Sequence, residues 1–138
     1  MKSSVILQNS MHFIGTTDSG FSIDLDSGAS VGGQNKGARP LELLAMSLIG
    51  CTAMDVISIL RKMRQDVTGF AVNFEAERAE AHPKVFSKID VEYLIEGNDI
   101  DIKMVERAIS LSAERYCPVQ AMLETAVPIH HSYKLTQT

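Results

Sequence analysis

Tryptophan is absent from this chain of 138 residues, and aromatic rings are scarce, with 3 Tyr and 5 Phe. Its core must therefore rest on aliphatic side chains and its 7 Met. Basic residues are too few to build a cationic face: 13 Lys and Arg stand against 17 Asp and Glu, for a net charge of −4. That balance argues against a nucleic-acid partner, which calls for a basic stripe or patch. Low-complexity tracts and internal repeats are also missing, so a folded globular domain is expected, and the length suits a single domain over 1–138. Near the N-terminus the longest apolar run is Val5 to Leu7, too short for the core of a signal peptide. A cytoplasmic protein is expected. Cysteine is nearly absent as well. In a reducing cytosol the two present, Cys51 and Cys117, do not announce a structural disulfide.

Three short runs open the chain: Ser4 to Leu7, Met11 to Gly15 and Phe21 to Leu25, separated by turn residues. They predict a small antiparallel meander. Residues 26–38, DSGASVGGQNKGA, read as a mobile surface loop, and they contain no phosphate-binding pattern. Val67 to Glu80 and Val85 to Ile95 alternate apolar and polar residues and predict a hairpin around Ala81-His82-Pro83-Lys84. Ile100 to Tyr116 has helical spacing, Pro118 suits the start of a further short helix, and Val127 to Leu135 predicts a last strand. The order predicts an α+β fold, with antiparallel sheets packed around a long central buried helix.

That central helix is the most informative segment. Pro40 suits its first turn, and Arg61, Lys62 and Arg64 suit its last. Leu41 to Leu60 is apolar on nearly all sides and long enough to cross a membrane. Glu42 and Asp55 lie inside that span and would be costly there. The reading is therefore a buried helix, or two helices broken near Gly50, and no membrane partner. Ser47 and Asp55 sit four residues before and after Cys51, and Ser58 sits seven after it, so a polar stripe runs past the thiol on one face. That stripe suggests a cleft or a subunit contact. An inert buried thiol is the competing reading. Cys117, in Arg115-Tyr116-Cys117-Pro118, sits at a helix start with an arginine nearby, a setting that favours thiolate, and an inert buried thiol competes with that reading here too. His12, His82, His130 and His131 have no metal-ligand spacing, and adjacent histidines on a strand point to opposite faces, so no metal site is expected.

Pro40-Leu41-Glu42-Leu43-Leu44, then Gly50-Cys51-Thr52, then Arg115-Tyr116-Cys117-Pro118-Val119, resemble the OsmC/Ohr family, the osmotically induced and organic hydroperoxide resistance proteins. The Arg-Pro-x-Glu-Leu-Leu and Gly-Cys-Thr segments are most similar to its OsmC-like branch. The resemblance covers nearly the whole chain. It implies an intertwined homodimer with active sites at the subunit interface, a peroxidatic cysteine at Cys51 and a resolving cysteine at Cys117. It further implies an organic hydroperoxide as substrate, an external dithiol as reductant and no bound cofactor. An ordinary thiol of pKa about 8.5 is only about 3% thiolate at pH 7, so a cation is expected near Cys51. The family's arginine comes from the N-terminal strands, but Met11 to Leu25 holds none, and Arg39 is the nearest upstream substitute. The family's glutamate lies ten positions before the cysteine, where this chain has Leu41. Glu42 lies nine before, with a catalytic role or a helix-start role open to it. Two other functions fit the same fold. One is a non-peroxidase that binds a small apolar or acyl-thiol ligand at the dimer interface, and the other is a stress-linked dimer whose cysteines only fill the core.

Overall fold

The computed structural model describes all 138 residues, which form two compact units, Met1–Ala45 and Met46–Thr138. In the first unit, β1 (Ser3–Asn9), β2 (His12–Thr17) and β3 (Ser22–Leu25) make an antiparallel meander in that order. The following loop is tied down, not free as its composition suggested. Asp26 is buried and its carboxylate accepts the backbone N–H groups of Ser27, Gln34 and Lys36 at 2.7, 3.2 and 3.1 Å. Burial works against its charge, but these donors outweigh it and hold the Asp26 carboxyl below its ordinary range.

Helix α1 (Pro40–Lys62) begins in the first unit and continues through the second, unbroken at Gly50. Its start is a half capping box, with the Arg39 N–H donating to Glu42 Oε2 at 2.9 Å. Its end is a Schellman turn. Arg64 takes a left-handed φ of 59°, and the N–H groups of Gln65 and Arg64 bond the carbonyls of Leu60 and Arg61. Along it, Leu48, Thr52, Val56 and Leu60 form a fully buried stripe four residues apart. A helix apolar all round was expected to be buried all round. Here Met46 and Met54 stay exposed, with Met54 at 74%.

The second unit is built on one sheet of β4 (Asp66–Arg78), β5 (Phe86–Asn98) and β6 (Ile129–Gln137), in that order. The β4–β5 hairpin is antiparallel and pairs Phe70 with Ile95, Val72 with Tyr93 and Phe74 with Val91. The alternation in β5 sends Ile89, Val91, Tyr93 and Ile95 to the buried face, against the α1 stripe and Val105, Ala108 and Ile109 of α2 (Ile102–Leu111). The last strand departs from the antiparallel expectation, because β6 runs parallel to β5, with Val91 beside His131 and Tyr93 beside Tyr133. A parallel neighbour needs a crossover. Here α2, a wide π-type turn at Ser112–Tyr116 and α3 (Pro118–Leu123) supply it.

Candidate functional site

Two elements of the second unit bring the cysteines together. Cys51 stands on α1 one residue before the buried Thr52, and it is itself half-buried. Cys117 is the N-cap of α3: the wide turn before it is closed by its N–H on the Ser112 carbonyl at 2.9 Å, and Pro118 opens the helix. Its Sγ accepts the Gln120 N–H at 3.3 Å, as a capping hydroxyl would. Asp55, one helical turn beyond Cys51, completes the group. Cys51 Sγ, Cys117 Sγ and an Asp55 carboxylate oxygen all lie within 4.8 Å of one another. Two sulfurs and an oxygen are of the right kind for a thiophilic cation, but a closed structural zinc site takes four ligands.

The electrostatics of Cys117 reverse the expectation drawn from its helix start. Burial, then the neighbouring Cys51, pushes its thiol up to about 11. The N–H groups of Gln120 and Val119 pull the other way and lose, because the thiol is only 2% exposed and α3 is six residues long. The Arg115 guanidinium lies 5.6 Å from the centre of the Tyr116 ring and is not among the groups that shift the thiol. Cys117 therefore waits as a neutral thiol. A thiol whose folded value is raised holds its proton after the unfolded chain has lost it. Stability carried by this group is then complete below about pH 8.5 and lost as pH rises toward 11. The melting temperature is expected to fall across that window, and to fall less in Cys117→Ser. Identical slopes for the two proteins would show that this burial is not what raises the thiol.

Beside the thiols runs a chain of polar groups, buried at its centre, that sequence reasoning did not find. Ser112 Oγ donates to Asp55 Oδ2 at 2.9 Å, Thr52 Oγ1 lies 2.9 Å from Ser112 Oγ, and Tyr93 Oη lies 2.6 Å from Thr52 Oγ1. His131 Nδ1 follows at 3.1 Å from Tyr93 Oη, and His131 Nε2 lies 3.2 Å from Gln120 Oε1. The Tyr93 and His131 rings stack with centroids 5.8 Å apart. Burial pushes the Tyr93 hydroxyl up to about 12 and pulls His131 below its ordinary value. The available signal was Thr52 and Asp55, two polar residues in an apolar helix. His131 was weighed only as a metal ligand. The cleft that Asp55 opens onto, about 410 Å³, is lined by Ser58, Ile59, Lys62, Met63, Leu111 and Tyr116.

Arg39 and Glu42 both lie in the first unit. Besides the capping bond between them, the Arg39 guanidinium donates to Asn35 Oδ1 at 2.6 Å and to the Gly37 carbonyl at 3.1 Å.

Comparison with known proteins places this geometry among relatives. The family model described as OsmC-like protein matches residues 33–132. Protein YhfA of Escherichia coli K12 is 42% identical over 123 residues, which is 89% of each chain. A crystal structure of a hypothetical protein from Aquifex aeolicus VF5 superposes with a TM-score of 0.87 at 30% identity, covering 99% of this chain and 96% of that one. The organic hydroperoxide resistance protein OsmC from Legionella pneumophila shares the fold, with a TM-score of 0.68 at 15% identity over 97% of both chains.

Proposed function

Because this chain belongs to the OsmC-like protein family, we propose that it is a thiol-dependent peroxidase that reduces organic hydroperoxides. The observation that carries this reading is the convergence, within 4.8 Å, of Cys51 and Asp55 on α1 with Cys117 at the start of α3. In it the Cys51 thiolate attacks a peroxide oxygen, the O–O bond breaks, and a sulfenic acid and an alcohol form. Cys117 then condenses with the sulfenic acid, releasing water and leaving a Cys51–Cys117 disulfide. An external dithiol returns the pair to thiols by exchange. No cofactor is required. The apolar part of the cleft, Ile59, Met63, Leu111 and Tyr116, accommodates the alkyl group of the substrate.

Arg39 and Glu42 serve the start of the helix on which Cys51 stands: Asn35 and Gly37 hold the Arg39 guanidinium, and Glu42 caps the first turn. The protein works as a homodimer in the reducing cytoplasm, with neither membrane nor nucleic acid as a partner. Support for the dimer comes from large apolar side chains left in the open, Met46 and Met54 on α1 and Ile6 on β1, the last at 61% exposure. Light scattering is expected to give twice the 15.1 kDa of one chain.

The test of the reaction is mass spectrometry after one equivalent of cumene hydroperoxide. Loss of two hydrogens with a Cys51–Cys117 crosslink is expected. An unchanged mass with unreactive thiols would move the function to binding a small apolar or acyl-thiol ligand in the same cleft.

A further inference from the structure

The buried hydroxyl chain has a direction, and its direction fixes a proton count. At one end, Gln120 Nε2 donates to Glu124 Oε2 at 3.2 Å, so Gln120 Oε1 is the atom facing His131 Nε2. A carbonyl oxygen only accepts, so Nε2 carries a proton. At the other end, Asp55 as a carboxylate accepts from Ser112. Ser112 has one hydroxyl proton, so Thr52 must donate to Ser112, Tyr93 to Thr52, and His131 Nδ1 to Tyr93. His131 is then an imidazolium. In the reverse arrangement Asp55 is a carboxylic acid that donates to Ser112, every hydroxyl passes its proton onward, and Tyr93 donates to a neutral His131. Any other proton count leaves one contact with two protons or none. Ser112, Thr52 and Tyr93 are 0%, 1% and 0% exposed, so bulk water does not repair the gap.

We propose that Asp55 and His131 share one mobile proton through Ser112, Thr52 and Tyr93, and that this relay supplies and recovers protons at the two sulfurs. The inference rests on the peroxidase reading for its use, though not for its existence. Attack of the Cys51 thiolate on the distal peroxide oxygen breaks the O–O bond and leaves an alkoxide, which takes the relay proton from Asp55 to become the alcohol. Asp55, now a carboxylate, accepts the Cys117 proton. The Cys117 sulfur attacks the sulfenic sulfur, the S–S bond forms, the S–O bond breaks, and the departing hydroxide takes that proton back as water. The relay is refilled by the proton that Cys51 gave up on becoming a thiolate. A resolving thiol kept neutral by burial needs such an acceptor at hand, and Asp55 is the carboxylate within reach.

The test needs no peroxide, so its failure is separable from failure of the peroxidase reading. The protonation of His131 is followed by nitrogen-15 NMR against pH in reduced wild type, Asp55→Asn, Tyr93→Phe and the double variant. The charged and titratable groups around the two ends are Cys51, Cys117, Lys62 and Tyr116 near Asp55, and His130, Glu124 and Tyr93 near His131. Asp55→Asn is expected to move the His131 midpoint by about one pH unit, a tenfold change in proton affinity, when Tyr93 is present. In the Tyr93→Phe background the same substitution is expected to move it by less than about a third of that. Thr52→Val, a second cut in the relay, is expected to decouple the ends in the same way and guards against misfolding of Tyr93→Phe. Equal shifts with and without the Tyr93 hydroxyl would mean through-space charge alone and would overturn the relay, as would no shift in either background.

Discussion

Replacing Cys51 with serine is expected to lower kcat/KM for cumene hydroperoxide by at least about a thousandfold, because an alkoxide is not available at neutral pH and a thiolate is. The substitution removes only polarisability and acidity from a half-buried position, so the circular-dichroism melt should stay within a few degrees of wild type. Cys117→Ser is expected to behave differently. Serine is itself a good N-cap and preserves the Gln120 contact, so α3 should hold. One equivalent of peroxide should still be consumed, in a burst, and the sulfenic acid at Cys51 should then be trappable with a dimedone-type reagent. Steady turnover with dithiol should stop after that burst. Full steady-state activity in Cys51→Ser would remove the peroxidatic role outright. Unimpaired turnover in Cys117→Ser would mean that the external dithiol resolves Cys51 directly.

Tyr93→Ala is expected to be the most damaging single change to stability. The ring is fully buried, 6.5 Å from Phe70 and stacked on His131, and its hydroxyl is the middle link between Thr52 and His131. Deleting it leaves a large cavity, which costs about 3–5 kcal/mol. It also leaves His131 Nδ1 without its partner, at about 1–3 kcal/mol for a buried polar group left unpaired, while Thr52 keeps its contact with Ser112. A fall in melting temperature of about 10–20 °C follows, and the variant should be close to unfolded at 37 °C. Tyr93→Phe keeps the volume and loses only the link, so about 1–2 kcal/mol is expected. Near-equal losses in the two variants would mean that the hydroxyl chain, not the ring packing, carries this position.

Much of the architecture was legible because it follows from local periodicity. The alternation of Phe70, Val72 and Phe74 against Ile89, Val91, Tyr93 and Ile95 required two half-buried strands, and the structure pairs them. Pro40 and the basic turn at Arg61 and Lys62 bounded α1 to within a residue or two. The parallel setting of β6 was not legible. Ile129 to Gln137 has the same pattern whichever way it runs, and only the length of chain between β5 and β6 turned into a crossover decides it. Which of its two states Cys117 takes was not legible for a related reason. A helix start and an arginine are visible in sequence, but the burial that overrides them is not.

The sequence by itself therefore determined the elements, the family, and the two thiols with a carboxylate one turn from the first. These depend on neighbours within a few residues, where helix and strand spacing are fixed by backbone geometry. Only the tertiary structure decided that Cys117, 66 positions along the chain, meets Cys51 and Asp55, and that Ser112, Thr52, Tyr93 and His131 join into one line. Those contacts join α1, β5, β6 and the turn before α3, and no local propensity encodes a distance between segments that pair through buried surface.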